Sequence, residues 1–298
     1  MSYRVGIVTP WAGEQAIEQA SDSIANQVLP DGGEVEIHHI VVDDGSGESF
    51  NNKATVAGTT HLIRLGNTFN DVGASPRGIG SSFAVALGCQ CVMFLDADNT
   101  YEPQHVATML AVHFQSKSRV VGARRRILHW QDDVEMGVKD FSDGDGLVDT
   151  NCLVLFDEAV LLAPRWVEAC KWKTGKWQPQ QPNHTGADRY FWRDIVRPNS
   201  TANGSIPFSG QKTVNYRTRW FLHYVDQTRR RDGLFVVDGL RPPCPAIAME
   251  GDQRKSLRWM VVDGGRGPEY AVWEVGGDEP VITPGVVVME VGGEAGGC

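Results

Sequence analysis

Two carboxylates spaced two residues apart are the first chemistry the chain offers. Asp96 and Asp98 stand in Phe94-Leu95-Asp96-Ala97-Asp98-Asn99, directly after an apolar run. At the end of a strand, residues i and i+2 are separated by about 6–7 Å along the chain. Oxygen pairs of this kind suit hard divalent cations such as Mn2+ or Mg2+, which often join one or two carboxylates to phosphate oxygens. A lone Asp-x-Asp describes a solvated turn equally well. A second acidic run, Val41-Val42-Asp43-Asp44-Gly45-Ser46, also ends an apolar segment. Its carboxylates can accept hydrogen bonds from a base or ribose, or can cap the turn that follows. Two acidic strand ends in one sheet favour a ligand-binding edge over two unrelated turns.

The elements that must position these groups alternate along the first 120 residues. Short apolar runs at Arg4–Thr9, Val35–Val42, His61–Leu65, Cys91–Leu95 and Arg119–Gly122 read as strands. Between them, Glu14–Val28, Gly78–Gly88 and Gln104–Ser116 carry apolar residues near a 3.6-residue period and read as helices. This alternation predicts an α/β fold with a doubly wound, mostly parallel sheet and helices on both faces. Such sheets bind ligands outside the carboxyl ends of their strands, where both acidic clusters fall. The stretch 124–225 is less regular: an acidic loop, an apolar run at Asn151–Phe156, a Trp-rich segment with Trp166, Trp172 and Trp177, and a helix-like Gly186–Val196. After Arg231 the pattern becomes short β-like runs at Leu234–Val237, Trp259–Val262, Tyr270–Val275 and Val286–Val291. The expected division is 1–230, with halves 1–110 and 111–230, followed by a small Gly-rich, β-rich extension over 231–298.

Composition narrows the function classes. Of 298 residues, 41% are hydrophobic and 22% charged, enough apolar material for a core and too much for wholesale disorder. The net charge of −9 argues against a protein that coats nucleic acid, which needs a basic surface. The longest apolar stretch, Phe83–Leu95, is shorter than the roughly 20 residues that span a bilayer, so no transmembrane anchor is expected. The N-terminus enters a strand-like run without a signal-peptide pattern. The six cysteines form no CxxC pairs and read as reduced thiols, in keeping with a cytoplasmic protein. The extension holds 13 of the 33 glycines and eleven Asp/Glu against six Lys/Arg. The acidic balance therefore belongs more to the tail than to the motifs.

Taken together, VVDDGS, then Arg77 in the stretch 70–80, then FLDADN about fifty residues after the first motif resemble the nucleotide-sugar half of the inverting glycosyltransferases of family 2, with the GT-A fold. The likeness covers the first hundred residues well, extends more weakly to about 225 and does not reach the tail. One departure is Gly73-Ala74-Ser75-Pro76-Arg77-Gly78, where that family more often has Ala-Arg-Asn. The resemblance implies that Thr9 and Asp44 contact a nucleobase with Asp43 nearby, and that Arg77 lies by the base or phosphates. It further implies that Asp96 contacts ribose and metal and that Asp98 is the main protein ligand of Mn2+ or Mg2+. Asp188, in Thr185-Gly186-Ala187-Asp188-Arg189, matches the base that deprotonates an acceptor hydroxyl, although Ala187 stands where Glu is usual; capping of a helix is the alternative.

Downstream, Arg217 and Arg219 are candidates for the diphosphate and His223 for the metal, with a packed helix-end histidine as the alternative. The run Asn215-Tyr216-Arg217-Thr218-Arg219-Trp220 is a degenerate QxxRW pattern with Tyr216 at the Gln position. Asp149-Thr150-Asn151 either lines the donor pocket or forms a strand-entry turn. The runs Arg124-Arg125-Arg126 and Arg229-Arg230-Arg231 read as solvated faces, and the tryptophans as packing residues of which one or two could stack on a sugar. The leading expectation is a metal-dependent, hexosyltransferase-like enzyme using a nucleotide sugar, a UDP-sugar first among them. Its acceptor stays open among glycan, lipid-linked sugar, protein, small molecule and modified nucleic-acid base. A sugar nucleotidyltransferase is disfavoured because Thr9-Pro10-Trp11-Ala12-Gly13-Glu14 carries no Lys or Arg. A non-catalytic binder of the same fold is disfavoured by the intact carboxylates.

Overall fold

The computed structural model describes residues 2–30, 34–50, 58–69, 71–129, 133–137, 140, 142–144, 146–173, 187–200, 205–218, 257–263, 268–274 and 287–290. The chain divides into two units, one formed by 1–126 with 140–216 and the other by 127–139 with 217–298.

Eight strands build one sheet: β1 (Tyr3–Trp11), β2 (Val35–Asp43), β3 (Gly58–Arg64), β4 (Cys91–Phe94), β5 (Thr100–Tyr101), β6 (Val120–His129), β7 (Leu153–Phe156) and β8 (Phe208–Thr218). Their order is β3-β2-β1-β4-β7-β6-β8-β5. The pairs β2·β3, β1·β2 and β1·β4 are parallel, while β7 runs antiparallel to both β4 and β6. This mixed α/β architecture agrees with the GT-A-like arrangement that the sequence predicts. Parallel neighbours are buried on both faces and read as continuous apolar runs. Val5, Ile7 and Val8 of β1, Ile40 and Val42 of β2, and Cys91 through Phe94 of β4 are accordingly all in the core.

The helices are α1 (Ile17–Ala25), α2 (Ala74–Ala86), α3 (His105–Ser116) and α4 (Ala187–Tyr190). α2 begins four residues before the expected start at Gly78. Pro76 lies in its first turn, where a missing N–H costs nothing, and the Asp71 carboxylate accepts from the Ser75 N–H at 3.0 and 3.2 Å. Between them, Val72 and Gly73 adopt left-handed backbone, with φ of 59° and 78°. A helical segment of 3₁₀ character, Asp157–Lys173, follows β7 with Pro164 inside it. The helix expected over Gly186–Val196 is α4 continued by a wider π turn, Phe191–Val196. The short strand β5 precedes α3, and its Tyr101 hydroxyl donates to the Phe94 carbonyl at 2.7 Å.

α2 lies close on its neighbours because its inner face is made of small residues. A Cβ on Gly80 would come 2.6 Å from a Val8 methyl and 2.9 Å from a Val42 methyl. A Cβ on Gly78 would stand 2.9 Å from both the Pro164 carbonyl oxygen and the Val167 nitrogen. Those are backbone atoms and cannot turn aside. The second unit contains an antiparallel three-stranded sheet, β9 (Leu257–Asp263), β10 (Pro268–Glu274) and β11 (Val287–Glu290), in the order β10-β9-β11. Three of the four β-like runs predicted after Arg231 coincide with these strands; Leu234–Val237 lies outside the described residues.

Gly78→Ala is expected to lower the unfolding free energy by about 1–3 kcal/mol through overpacking, despite the better helix propensity of alanine. Gly66→Ala, at a site with open space around it, should leave stability near that of the parent chain. Chemical denaturation followed by circular dichroism compares the two.

Candidate active site

The parallel ladder delivers the two acidic turns to one edge. Trp11 is in register with Asp43, and Val8 with Phe94. The Asp44 N–H donates to the Trp11 carbonyl at 2.7 Å, and the Leu95 N–H to the Val8 carbonyl at 3.0 Å. Both turns therefore hang on β1. Asp43 and Asp44 are nearly buried. Asp43 accepts from the Ser46 N–H at 2.8 Å, closing its own turn, with Arg64 at 4.0 Å. Asp44 accepts from the Phe69 N–H at 2.8 Å and so ties the loop before α2 to the strand end. Thr9 is fully buried, and its hydroxyl pairs with His39 Nε2 at 3.1 Å. Burial, with His61 nearby, pushes the His39 imidazole down to about 3, so this pair is neutral.

Arg77, one turn into α2, links the two halves of the site. Its Nη1 donates to the Val72 carbonyl at 2.8 Å and its Nη2 to Asp96 Oδ1, while the guanidinium carbon lies 5.1 Å from the centre of the Trp166 ring. Its Nε is buried with no hydrogen-bond partner among the described residues. Gly73 makes room for this side chain, since a Cβ there would meet Arg77 Nη1 at 3.0 Å and Pro10 at 3.1 Å. Trp166 itself is buried and stacks on Phe191 at 4.2 Å, so it packs in the core beneath the cation.

Asp96 is held from the other side by Asn151. The Asn151 Oδ1 accepts from the Asp96 N–H at 2.7 Å, and its Nδ2 donates to Asp96 Oδ2 at 3.1 Å. Asn151 in turn donates to Asp149 Oδ1 through both its backbone N–H and its Nδ2, each at 3.0 Å. Arg125 Nη1 donates to Asp149 Oδ2 at 2.5 Å and its Nε to Asp140 Oδ1 at 2.9 Å, with the Tyr216 ring 4.3 Å from the guanidinium carbon. Burial opposes the charge of Arg125, but Asp149, Cys152, Asp140 and Tyr216 outweigh it and hold the proton more firmly than usual.

This corrects the reading of Arg124-Arg125-Arg126 as a solvated face. Only Arg124 is exposed; Arg125 is buried, and Arg126 pairs with Glu102 at 2.6 Å. The period-two alternation of a strand was the available signal, because it sends Arg125 to the face opposite Arg124.

Asp188, the second residue of α4, joins the same cluster. Burial first, and then the Asp149 charge, push its carboxyl above the usual range. The Arg189 N–H at 3.0 Å and the charges of Arg77 and Arg189 pull the other way. Tyr216 lies within electrostatic reach of Asp149, Asp98 and Asp96, and burial and these charges push its phenol up. Asp98 is half-buried beside it. The site thus gathers Arg77, Asp96, Asp98, Asp149 and Asp188, with Asn151, Arg125 and Tyr216 added by the structure.

Arg217 belongs to the second unit, where it forks onto Asp133, Nη2 donating to Oδ2 at 2.7 Å. That bond, ahead of the cost of burial, lowers the Asp133 pKa. Arg219, His223, Trp130, Trp177 and Arg229–Arg231 lie outside the described residues. Among the described residues no three His, Cys, Asp or Glu side chains converge as a metal set, and no helix is long and apolar enough to cross a membrane. Asp96 and Asp98 are hard oxygen donors that fit part of an Mg2+ or Mn2+ shell, the remainder being of the kind a diphosphate supplies.

No protein-family model matches the chain, and no curated protein matches it. Among solved structures it is similar to S. aureus TarS 1-349, at 14% identity and a TM-score of 0.49, over 77% of this chain and 64% of that one. The same protein in complex with UDP-GlcNAc aligns at 13% identity and a TM-score of 0.47, over 73% and 59%. The chain spans less than two thirds of either.

Because the folded state raises the Asp188 pKa, ionising this group costs stability as pH rises through the folded value. Asp188→Asn removes that cost. The variant is expected to match or exceed the parent in melting temperature at neutral pH and to lose the advantage near pH 4, where an ordinary Asp takes up its proton. Thermal melts across pH measure the difference.

Proposed function

We propose that this chain is a metal-dependent inverting glycosyltransferase that moves a hexosyl group from a nucleotide sugar, a UDP-sugar first, to an acceptor hydroxyl. The observation that carries the reading is the network joining Arg77, Asp96, Asn151 and Asp149 beside the end of β4, with Asp44 at the end of β2 and Asp188 within electrostatic reach of Asp149 and Arg77. A base-binding turn, a phosphate-binding cation, a metal-binding carboxylate and a candidate proton acceptor meet at the edge where such sheets bind nucleotides.

In this reading Asp44 and Asp43 border the base, and the Phe69 N–H holds Asp44 in place. Thr9, whose hydroxyl is turned to His39, contributes its strand-end backbone. Arg77 keeps one donor edge, the Nε, for a phosphate oxygen. Asp96 and Asp98 would hold Mn2+ or Mg2+, and His223 is a further candidate. When bound, such a cation offsets the negative charge that develops on the departing nucleoside diphosphate.

Asp188 takes the proton of the acceptor hydroxyl as that oxygen attacks the anomeric carbon. One carbon–oxygen bond forms while the bond to the diphosphate breaks, a single displacement that inverts the centre. A carboxyl raised by burial and by Asp149 is a stronger base than an exposed one, which suits this task. Arg217 and Arg219 remain candidates for the diphosphate. The acceptor is open.

Donor hydrolysis and transfer with a panel of nucleotide sugars, with and without Mn2+, test the proposal. Asp98→Ala and Asp188→Ala are each expected to lower turnover by about 10²–10⁴-fold, the usual size of a lost general base or metal ligand, with circular dichroism unchanged. Release of pyrophosphate would indicate a sugar nucleotidyltransferase instead. Failure to bind UDP with Mn2+ in calorimetry would leave a non-catalytic scaffold.

A further inference from the structure

Asp149 invites the assignment of a sugar-contacting carboxylate, yet both of its oxygens are already engaged inside the protein. Oδ1 accepts two bonds from Asn151 and Oδ2 accepts one from Arg125, and the side chain is almost completely buried. Its own N–H donates to Ser142 Oγ at 2.9 Å. We propose that Arg125, Asp149 and Asn151 are a positioning relay that fixes the Asp96 carboxylate for the divalent cation, with Asp149 acting through Asn151 and not on the donor. The inference rests on the metal-dependent reading above.

The chemistry of the relay requires these residue types. Asn151 grips Asp96 at two points, accepting from its backbone N–H and donating to its carboxylate. A carboxylate at the end of a strand otherwise has two free torsions. The amide grip removes them, and each carboxylate oxygen still has a lone pair for a ligand. An aspartate at 151 would repel both Asp96 and Asp149, and an aliphatic residue would make neither bond.

Asn151 would itself be free to rotate if Asp149 did not fix its amide, and the buried Arg125 guanidinium holds Asp149 in turn. Arg125 is in turn held by Asp140 and by the face of Tyr216. The chain of contacts thus runs from β6, through the turn before β7, to the end of β4. The side chain of Asp149 is only 10% exposed and Asn151 is buried, whereas the Asp96 side chain is 27% exposed. Only the end of the relay meets a ligand.

The test uses the full chain with UDP and Mn2+ as probes. Free Mn2+ is counted by electron paramagnetic resonance in the presence of UDP, and UDP binding without metal is measured by calorimetry. Asn151→Ala is expected to weaken Mn2+ binding by about 10–100-fold, the effect typical of residues that orient a metal ligand, while metal-free UDP affinity stays within about twofold of the parent. Asp149→Asn, which keeps the acceptor for Asn151 but removes the charge partner of Arg125, should move Mn2+ affinity in the same direction by less. Arg125→Lys should fall between Asp149→Asn and the parent, and these two variants decide the matter if Asn151→Ala does not fold. Parent-like Mn2+ affinity in the folded variants, with only a lower melting temperature, overturns the relay. A parent chain that binds neither UDP nor Mn2+ overturns the functional reading instead.

Discussion

Buried charge is the constraint on which the rest of this site depends. Arg77 and Arg125 are both inside the protein, and each unpaired buried ion would cost several kcal/mol. The molecule meets this by alternating sign along one connected path: Arg77, Asp96, Asn151, Asp149, Arg125, Asp140. The neutral amide in the middle carries the link between two carboxylates that would otherwise repel. Removing Arg125 would leave the buried Asp149 without its cation, which is more damaging than never having had the pair.

The backbone arrangement follows from that path. The path starts on helix α2, passes through the turn between Asp149 and β7, and reaches Arg125 of strand β6 and then Asp140. For Arg77 to reach Asp96, α2 must lie close against β1 and β2, where Gly80 permits the approach, while Gly78 lets it pack against the Asp157–Lys173 segment. The loop before α2 must also turn sharply, and the left-handed pair Val72-Gly73 with the Asp71 cap provides that turn. The run Gly73–Gly78, which departs from the pattern of the resembling family, thus has a local steric account in this chain.

Strand ends and acidic clusters were legible in the sequence because parallel strands are continuous apolar runs, and an interruption by Asp is conspicuous. The parallel core of the sheet followed from the βα alternation, whereas the order of the strands and the antiparallel placing of β7 did not. The short strand β5 was not legible, since it exists through pairing with the distant β8, Thr100 with Asn215 and Tyr101 with Val214. The first turn of α2, from Ala74, was not legible because Pro76 is an uncommon helix residue, although proline is harmless in a first turn. Arg125 was misjudged because three arginines in a row suggest a wet surface, while the strand period separates them. Asn151 could be marked only as part of a turn: an amide with two carboxylate partners some distance away in the chain leaves no local pattern.

That the Nε of Arg77 has no hydrogen-bond partner among the described residues has a thermodynamic meaning. A buried donor without an acceptor costs about 1–3 kcal/mol, and the protein carries that cost whenever nothing else reaches the group. An oxygen arriving from outside relieves it, so part of the affinity for such a visitor is stored in the empty fold as withheld stability. Recognition and marginal stability are then two readings of one strained donor, and a mutation that satisfied it internally would make the chain sturdier and the site less receptive.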